Sequence, residues 1–108
     1  MITSHVLDTS IGKPAAGISA ELFFQNGNDW ISVAITQTNN DGRISEWLSK
    51  EPNAGIYKIR FDTKKYFEKK SVTSFYPYVE IVFEIKSDEH YHIPLLLSPF
   101  GYSTYRGS

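Results

Sequence analysis

The chain has 108 residues, of which 41% are hydrophobic, 15% aromatic and 21% charged, a globular mix that excludes a disordered or low-complexity protein. Eleven Lys and Arg against twelve Asp and Glu leave a net charge of −1, which argues against a nucleic-acid partner; the Lys-Lys pairs at 64–65 and 69–70 read as a solvated face. Cysteine is absent, which excludes disulfides, thiolate metal sites and a cysteine nucleophile. A chain of this length makes one domain, residues 1–108, that buries about two thirds of its unfolded surface with little surplus, so association of copies would help it. No apolar run approaches the ~20 residues that cross a bilayer, so no membrane partner is expected. Met1-Ile2-Thr3-Ser4-His5 has neither the basic nor the apolar region of a signal peptide. The expected location is the cytoplasm, or the periplasm if a signal was removed before residue 1.

Short segments of period-2 alternation separated by turn signals predict an all-β protein, an antiparallel β-sandwich. The first strand is Ile2 to Asp8, followed by a loop through Gly12-Lys13-Pro14 to Gly17. Ile18 to Gln25 alternates, with Ile18, Ala20, Leu22 and Phe24 on one face, and turns at Asn26-Gly27. Trp30 to Thr38 alternates again, with Ile31, Val33 and Ile35 expected inward. Asn39-Asn40-Asp41-Gly42 is the strongest turn, because Asp-Gly tolerates positive φ, and a short edge strand follows at Arg43 to Glu46. After Pro52-Asn53-Ala54-Gly55 comes Ile56 to Asp62, with Tyr57, Ile59 and Phe61 inward and Lys58 and Arg60 outward. Asp62 or Thr63 caps a short helix over Lys64 to Lys70, and Ser71 to Tyr78 is a loop. Val79 to Lys86 turns Val79, Ile81, Phe83 and Ile85 in and Glu80 and Glu84 out. His90 to Ser98 and Gly101 to Gly107 form a final pair joined at Pro99-Phe100-Gly101. The sum is about eight strands and one helix.

One strand has an unusual outer face. In His90-Tyr91-His92-Ile93-Pro94-Leu95-Leu96-Leu97, alternation sends Tyr91, Ile93, Leu95 and Leu97 to the core. The opposite face is then His90, His92, Pro94 and Leu96, without formal charge and half apolar. A strand apolar on both sides is usually covered on both, and with one small helix available the expected cover is a second subunit. Ser103, Tyr105 and Gly107 continue this face in the next strand, and the terminal carboxylate of Ser108 follows them. In the first strand Val6 is the core candidate, so His5 lies off the core.

The three histidines are the only side chains with an ordinary pKa near 7. His90 and His92, two apart, point the same way on a strand, but a bare His-x-His is a weak metal signal. No serine elbow, HExxH, glycine-rich phosphate loop or Walker motif is present. Arg43, directly after the Asp-Gly turn, is placed to clamp an anionic or carbonyl-rich ligand. The residues by themselves stop at a sandwich that associates through a His-bearing face.

Four stretches resemble a known family. The terminal Tyr102-Ser103-Thr104-Tyr105-Arg106-Gly107-Ser108, ending in Tyr-Arg-Gly-Ser, is similar to the C-terminal signature of the 5-hydroxyisourate hydrolases, the transthyretin-related enzymes of urate degradation. Ser4-His5-Val6-Leu7-Asp8-Thr9 with Gly12-Lys13-Pro14-Ala15, Thr38 to Arg43, and His90-Tyr91-His92-Ile93-Pro94-Leu95-Leu96-Leu97-Ser98-Pro99 match as well, and Phe75-Tyr76-Pro77-Tyr78-Val79 is family-like. The resemblance implies a transthyretin-like eight-stranded antiparallel β-sandwich with one short helix. It also implies a homotetramer, a dimer of dimers, with clefts where the dimers meet. The implied substrate is 5-hydroxyisourate, opened by water to 2-oxo-4-hydroxy-4-carboxy-5-ureidoimidazoline, with no metal or organic cofactor. The implied site residues are His5, Arg43, His92 and Ser108, with Tyr105 binding substrate. His92 or His5 acts as base, the other relays a proton or positions water, and Arg43 stabilises charge and keeps a nearby imidazole unprotonated. Arg106 and Gly107 shape the terminus, and His90 is not carried over. Transthyretin itself, a thyroid-hormone carrier with the same channel, lacks the histidines, the arginine and the Tyr-Arg-Gly-Ser end. A carrier of that type is the alternative reading.

Overall fold

Every segment with alternating apolar residues is a strand in the computed structural model, which describes residues 1–108. In chain order the elements are β1 (Ile2–Asp8), β2 (Lys13–Pro14), β3 (Ser19–Asn26), β4 (Asp29–Gln37), β5 (Arg43–Ile44), β6 (Gly55–Phe61), α1 (Thr63–Lys69), β7 (Val79–Ile85), β8 (Tyr91–Ser98) and β9 (Gly101–Thr104). One sheet runs β2-β1-β8-β9 with β5 also paired to β1, and the other runs β4-β3-β6-β7. The predicted strand over Arg43 to Glu46 is only two residues long, and the strand expected to reach Gly107 ends at Thr104. No helix is long and apolar enough to cross a membrane.

The sheets pack face to face because each strand turns alternate apolar residues inward. Val6, Ile93, Leu95 and Leu97 from one sheet meet Leu22, Ile59, Phe61, Val79 and Ile85 from the other, all within a single cluster of 20 buried apolar residues. Fully burying each such side chain contributes ~1.5–3 kcal/mol. Tyr66 and Phe67 bury the inner side of α1, and the Tyr66 hydroxyl donates to Asp8 Oδ2 at 2.8 Å, tying the helix to the end of β1. Asp62 occupies the N-cap position without a side-chain capping bond and instead lies 3.7 Å from Lys65 Nζ.

Two features differ from the alternation reading. β1 and β8 pair in parallel along seven residues, from Ile2 opposite Tyr91 to Asp8 opposite Leu97, while the other ladders are antiparallel. A parallel pair needs a long crossover, and here the whole second sheet lies between the two strands in sequence. The second difference is β4. Ile31, Val33 and Ile35, expected inward, are 45%, 42% and 68% exposed. β4 is an edge strand, and a bulge breaks its register: Leu22 faces Ala34 but Phe23 faces Ser32, leaving Val33 unpaired. Ile35 therefore stands opposite outward-facing Glu21, while Ala34 packs against the core.

Candidate active site

Residues directly opposite in a ladder share a sheet face, so the register builds the outer face of the first sheet in three rows. Thr3 lies opposite His92, which bridges to Gly107. His5 lies opposite both Pro94 and Arg43. Leu7 lies opposite Leu96, which faces Ser103. The face thus grades from a polar end at His92 to an apolar end at Leu96.

The Asn39–Gly42 turn delivers Arg43. Asn39 Oδ1 accepts the N–H groups of Asp41 and Arg43, both at 2.9 Å. Gly42 has φ +73°, and a Cβ there would stand 2.5 Å from the Val6 carbonyl oxygen, so the turn admits only glycine. His5 Nε2 donates to the Asp41 carbonyl at 2.9 Å. A carbonyl only accepts, so Nε2 carries a proton, and the lone pair of the neutral form lies at Nδ1. The guanidinium of Arg43 is exposed and takes part in no ion pair.

His92 is half-buried, and its Nδ1 lies 2.7 Å from Thr3 Oγ1. Its imidazole is held below the usual pKa of 6.5, first by burial and then by its electrostatic neighbours His90, Arg43 and His5, whose positive charge opposes a second one on His92 whenever they carry it. His92 is therefore neutral at pH 7 with a lone pair to offer. The three imidazoles do not converge on a metal-ligand cluster.

The C-terminal segment folds over His92. The β8–β9 ladder stops at Leu95 opposite Thr104, because Pro94 has no N–H to continue it. The Thr104 hydroxyl instead donates to the Pro94 carbonyl at 2.7 Å. Pairing resumes in unchanged register where the Gly107 N–H donates to the His92 carbonyl at 2.9 Å. Tyr105 thus falls across from Pro94, 58% exposed, and Ser108 is exposed beyond it. Arg106 points elsewhere: it pairs with Glu89 at 2.8 Å and lies over the Tyr91 ring, anchoring the terminus. Ser87 and Arg106 together hold the Glu89 carboxyl below its usual pKa.

The register therefore brings His5, Arg43, His92 and Tyr105 to one face, and the Gly107 bridge carries the terminus to it. His90, just before β8, also joins them, with Nε2 at 2.7 Å from Thr3 Oγ1. Thr3 escaped the sequence reading. Its only signal was position, two residues before His5 and so on the same side of β1.

Residues 2–107 match the family described as HIUase/transthyretin. A Schizosaccharomyces pombe protein named probable 5-hydroxyisourate hydrolase is 50% identical over 113 residues, covering 99% of this chain and 90% of that protein. The chain belongs to the HIUase/transthyretin family. The mouse protein named 5-hydroxyisourate hydrolase is 44% identical, covering 99% of this chain and 94% of its own. Among solved structures of the family, Klebsiella pneumoniae 5-hydroxyisourate hydrolase superposes with a TM-score of 0.90 at 34% identity, covering 99% of this chain and 98% of that one. Sea bream transthyretin in complex with thyroxine superposes with a TM-score of 0.93 at 30% identity, covering 98% and 93%. The backbone of the HIUase/transthyretin family is thus common to an enzyme and a hormone-binding protein, and the side chains on it must decide between them.

Proposed function

We propose that this chain, acting as one domain over residues 1–108, hydrolyses 5-hydroxyisourate at the His92 end of the outer sheet face. The observation that carries the reading is a neutral imidazole, His92, set beside the unpaired cation Arg43 and a second imidazole of determined tautomer, His5. The names of the relatives point to the same substrate.

His92 takes a proton from water at Nε2 as the water oxygen attacks a ring carbonyl of the substrate. Arg43 stabilises the oxyanion that develops. The tetrahedral intermediate collapses with cleavage of a ring C–N bond. The imidazolium of His92 returns its proton to the leaving nitrogen, and the new carboxyl group releases a proton to solvent. His5 orients the water through Nδ1. Tyr105 and Ser108 hydrogen-bond the ring and close the site. The reaction consumes only water and substrate.

Arg43, Tyr105 and Ser108 are all exposed, so a single copy leaves this face without an opposite wall. A homotetramer arranged as a dimer of dimers would supply it, with two such faces enclosing a cleft. Sedimentation should give four copies per particle.

The deciding experiment follows the ultraviolet absorbance of 5-hydroxyisourate made in place from urate and urate oxidase. Decay should be faster with the protein than without it, and the acceleration should vanish in His92→Ala. An intact tetramer with no acceleration would transfer the reading to a carrier of planar aromatic ligands, which the fit to the thyroxine-bound transthyretin would then explain.

A further inference from the structure

At the polar end of the outer face one hydroxyl joins two imidazoles. Thr3 Oγ1 lies 2.7 Å from His92 Nδ1 and 2.7 Å from His90 Nε2, while the two rings stand 6.1 Å apart and tilted by 52°. Thr3 is buried, directly across from His92 in the parallel β1–β8 ladder, and His90 is exposed. Backbone register and side-chain bond therefore fix the same contact. The opposite side of the ring is also confined, since a Cβ on Gly107 would stand 2.5 Å from His92 Cδ2.

A hydroxyl has one proton to donate and two lone pairs. For His92 to accept a proton at Nε2, its Nδ1 must carry the other and donate it to Thr3 Oγ1. The Thr3 proton is then free for His90 Nε2, and all three groups are satisfied. Which ring nitrogen is the base is set by the hydrogen bond the other makes.

We propose that Thr3 is a positioning residue which, with His90 behind it, holds His92 in the Nδ1–H tautomer so that Nε2 serves as the base; this rests on the hydrolase reading above. A hydroxyl does this differently from a carboxylate. It orients the ring without adding negative charge, so it does not raise the basicity of the imidazole. The charged and titratable groups acting on His92 are His90 next to it, Arg43 from β5 and His5 from β1, and all of them oppose its protonation. The result is an oriented imidazole that stays neutral.

Thr3→Val tests the assignment, because valine keeps the branched shape that suits a strand and removes only the hydrogen bonds. The melting temperature reports whether it folds. The expected result is a loss of ~10–100-fold in kcat, part of the ~10²–10⁴-fold that a positioned acid–base group supplies, with KM little changed. Thr3→Ser should recover most of the loss. ¹⁵N spectra of the imidazoles, which need no substrate, should show His92 as the Nδ1–H form in the parent and in Thr3→Ser, and as a mixture in Thr3→Val. His90→Gln removes a titratable neighbour that opposes protonation of His92, so the acid limb of kcat/KM should move to higher pH. A Thr3→Val enzyme with parental kcat, or a parent whose His92 carries its proton on Nε2, overturns the proposal. A parent with no turnover would instead remove the hydrolase reading, and the ¹⁵N spectra would still decide whether Thr3 sets the tautomer.

Discussion

Gly107→Ala should impair catalysis far more than stability. Gly107 does not have a positive φ, so alanine's backbone preference is not the issue. The added Cβ would stand 2.5 Å from His92 Cδ2, 3.3 Å from His92 Cγ and 3.2 Å from Pro94 Cγ. Carbon atoms rest about 3.5–4.0 Å apart, so the ring or the terminal segment must move by roughly 1 Å. If the ring turns, the 2.7 Å contact with Thr3 is broken. If the terminus lifts, the 2.9 Å bond from the Gly107 N–H to the His92 carbonyl is broken and Ser108 goes with it. Either adjustment costs about 1–3 kcal/mol, the usual range for overpacking, and much of it falls on an end segment that can yield. Catalysis has no such freedom, because a displacement of this size can cost ~10²-fold in rate. Gly101→Ala is the matched control: it lies in the same hairpin, also without positive φ, and its Cβ would meet only Ser98 Oγ at 3.8 Å. Decay of 5-hydroxyisourate, with kcat and KM separated, is the assay. Equal rates for the two variants, with an unshifted His92 resonance in Gly107→Ala, would refute the idea that the terminus confines the ring.

Loss of His92 or of His5 to alanine should lower kcat by about 10²–10⁴-fold, and full activity in either variant removes that residue from the mechanism. The imidazole of His92 is depressed below 6.5, so activity should fall as pH drops through that lowered value, placing the acid limb below pH 6.5. Arg43→Gln removes a cation that opposes protonation, so the limb should move to higher pH; a fixed midpoint would show that Arg43 does not act on the base. Tyr66→Phe deletes one of the donors to the buried Asp8 carboxylate, which should cost ~1.5–3 kcal/mol as a hydrogen bond to a charged group. For a chain of this size that is a fall of roughly 4–8 °C in Tm for each kcal/mol, with kcat of the folded enzyme unchanged; an unaltered melting curve would count against it. Residues appended after Ser108 should lower kcat by displacing Ser108 from the site, and an extended enzyme at the parental rate would exclude Ser108 from it.

Much of this protein is legible in one dimension. Alternation located β1, β3, β6, β7 and β8 to within a residue or two, because a strand buried on one side writes its period directly into composition. The same rule exposed the odd face of β8, since His92 and Leu96 stand where Glu80 and Glu84 stand on β7. The short motifs around His5, Arg43, His92 and the C-terminal segment carry the family resemblance in the sequence itself. β4 was located to within a residue as well, but its facing resisted, because a single bulged residue at Val33 reverses which side Ile35 faces, and nothing local announces a bulge. The parallel pairing of β1 with β8 was equally hidden, as it joins residues 89 apart in sequence, such as Ser4 to Ile93. Thr3 is the consequence of that pairing. Read along the chain it is an ordinary strand residue, and only the register that sets it opposite His92, with His90 beside it, makes its hydroxyl the meeting point of two imidazoles. Composition and period determine which side of a regular, unbulged strand faces the core. Which residues meet across the sheet is decided by non-local hydrogen bonding, and that exists only in the folded chain.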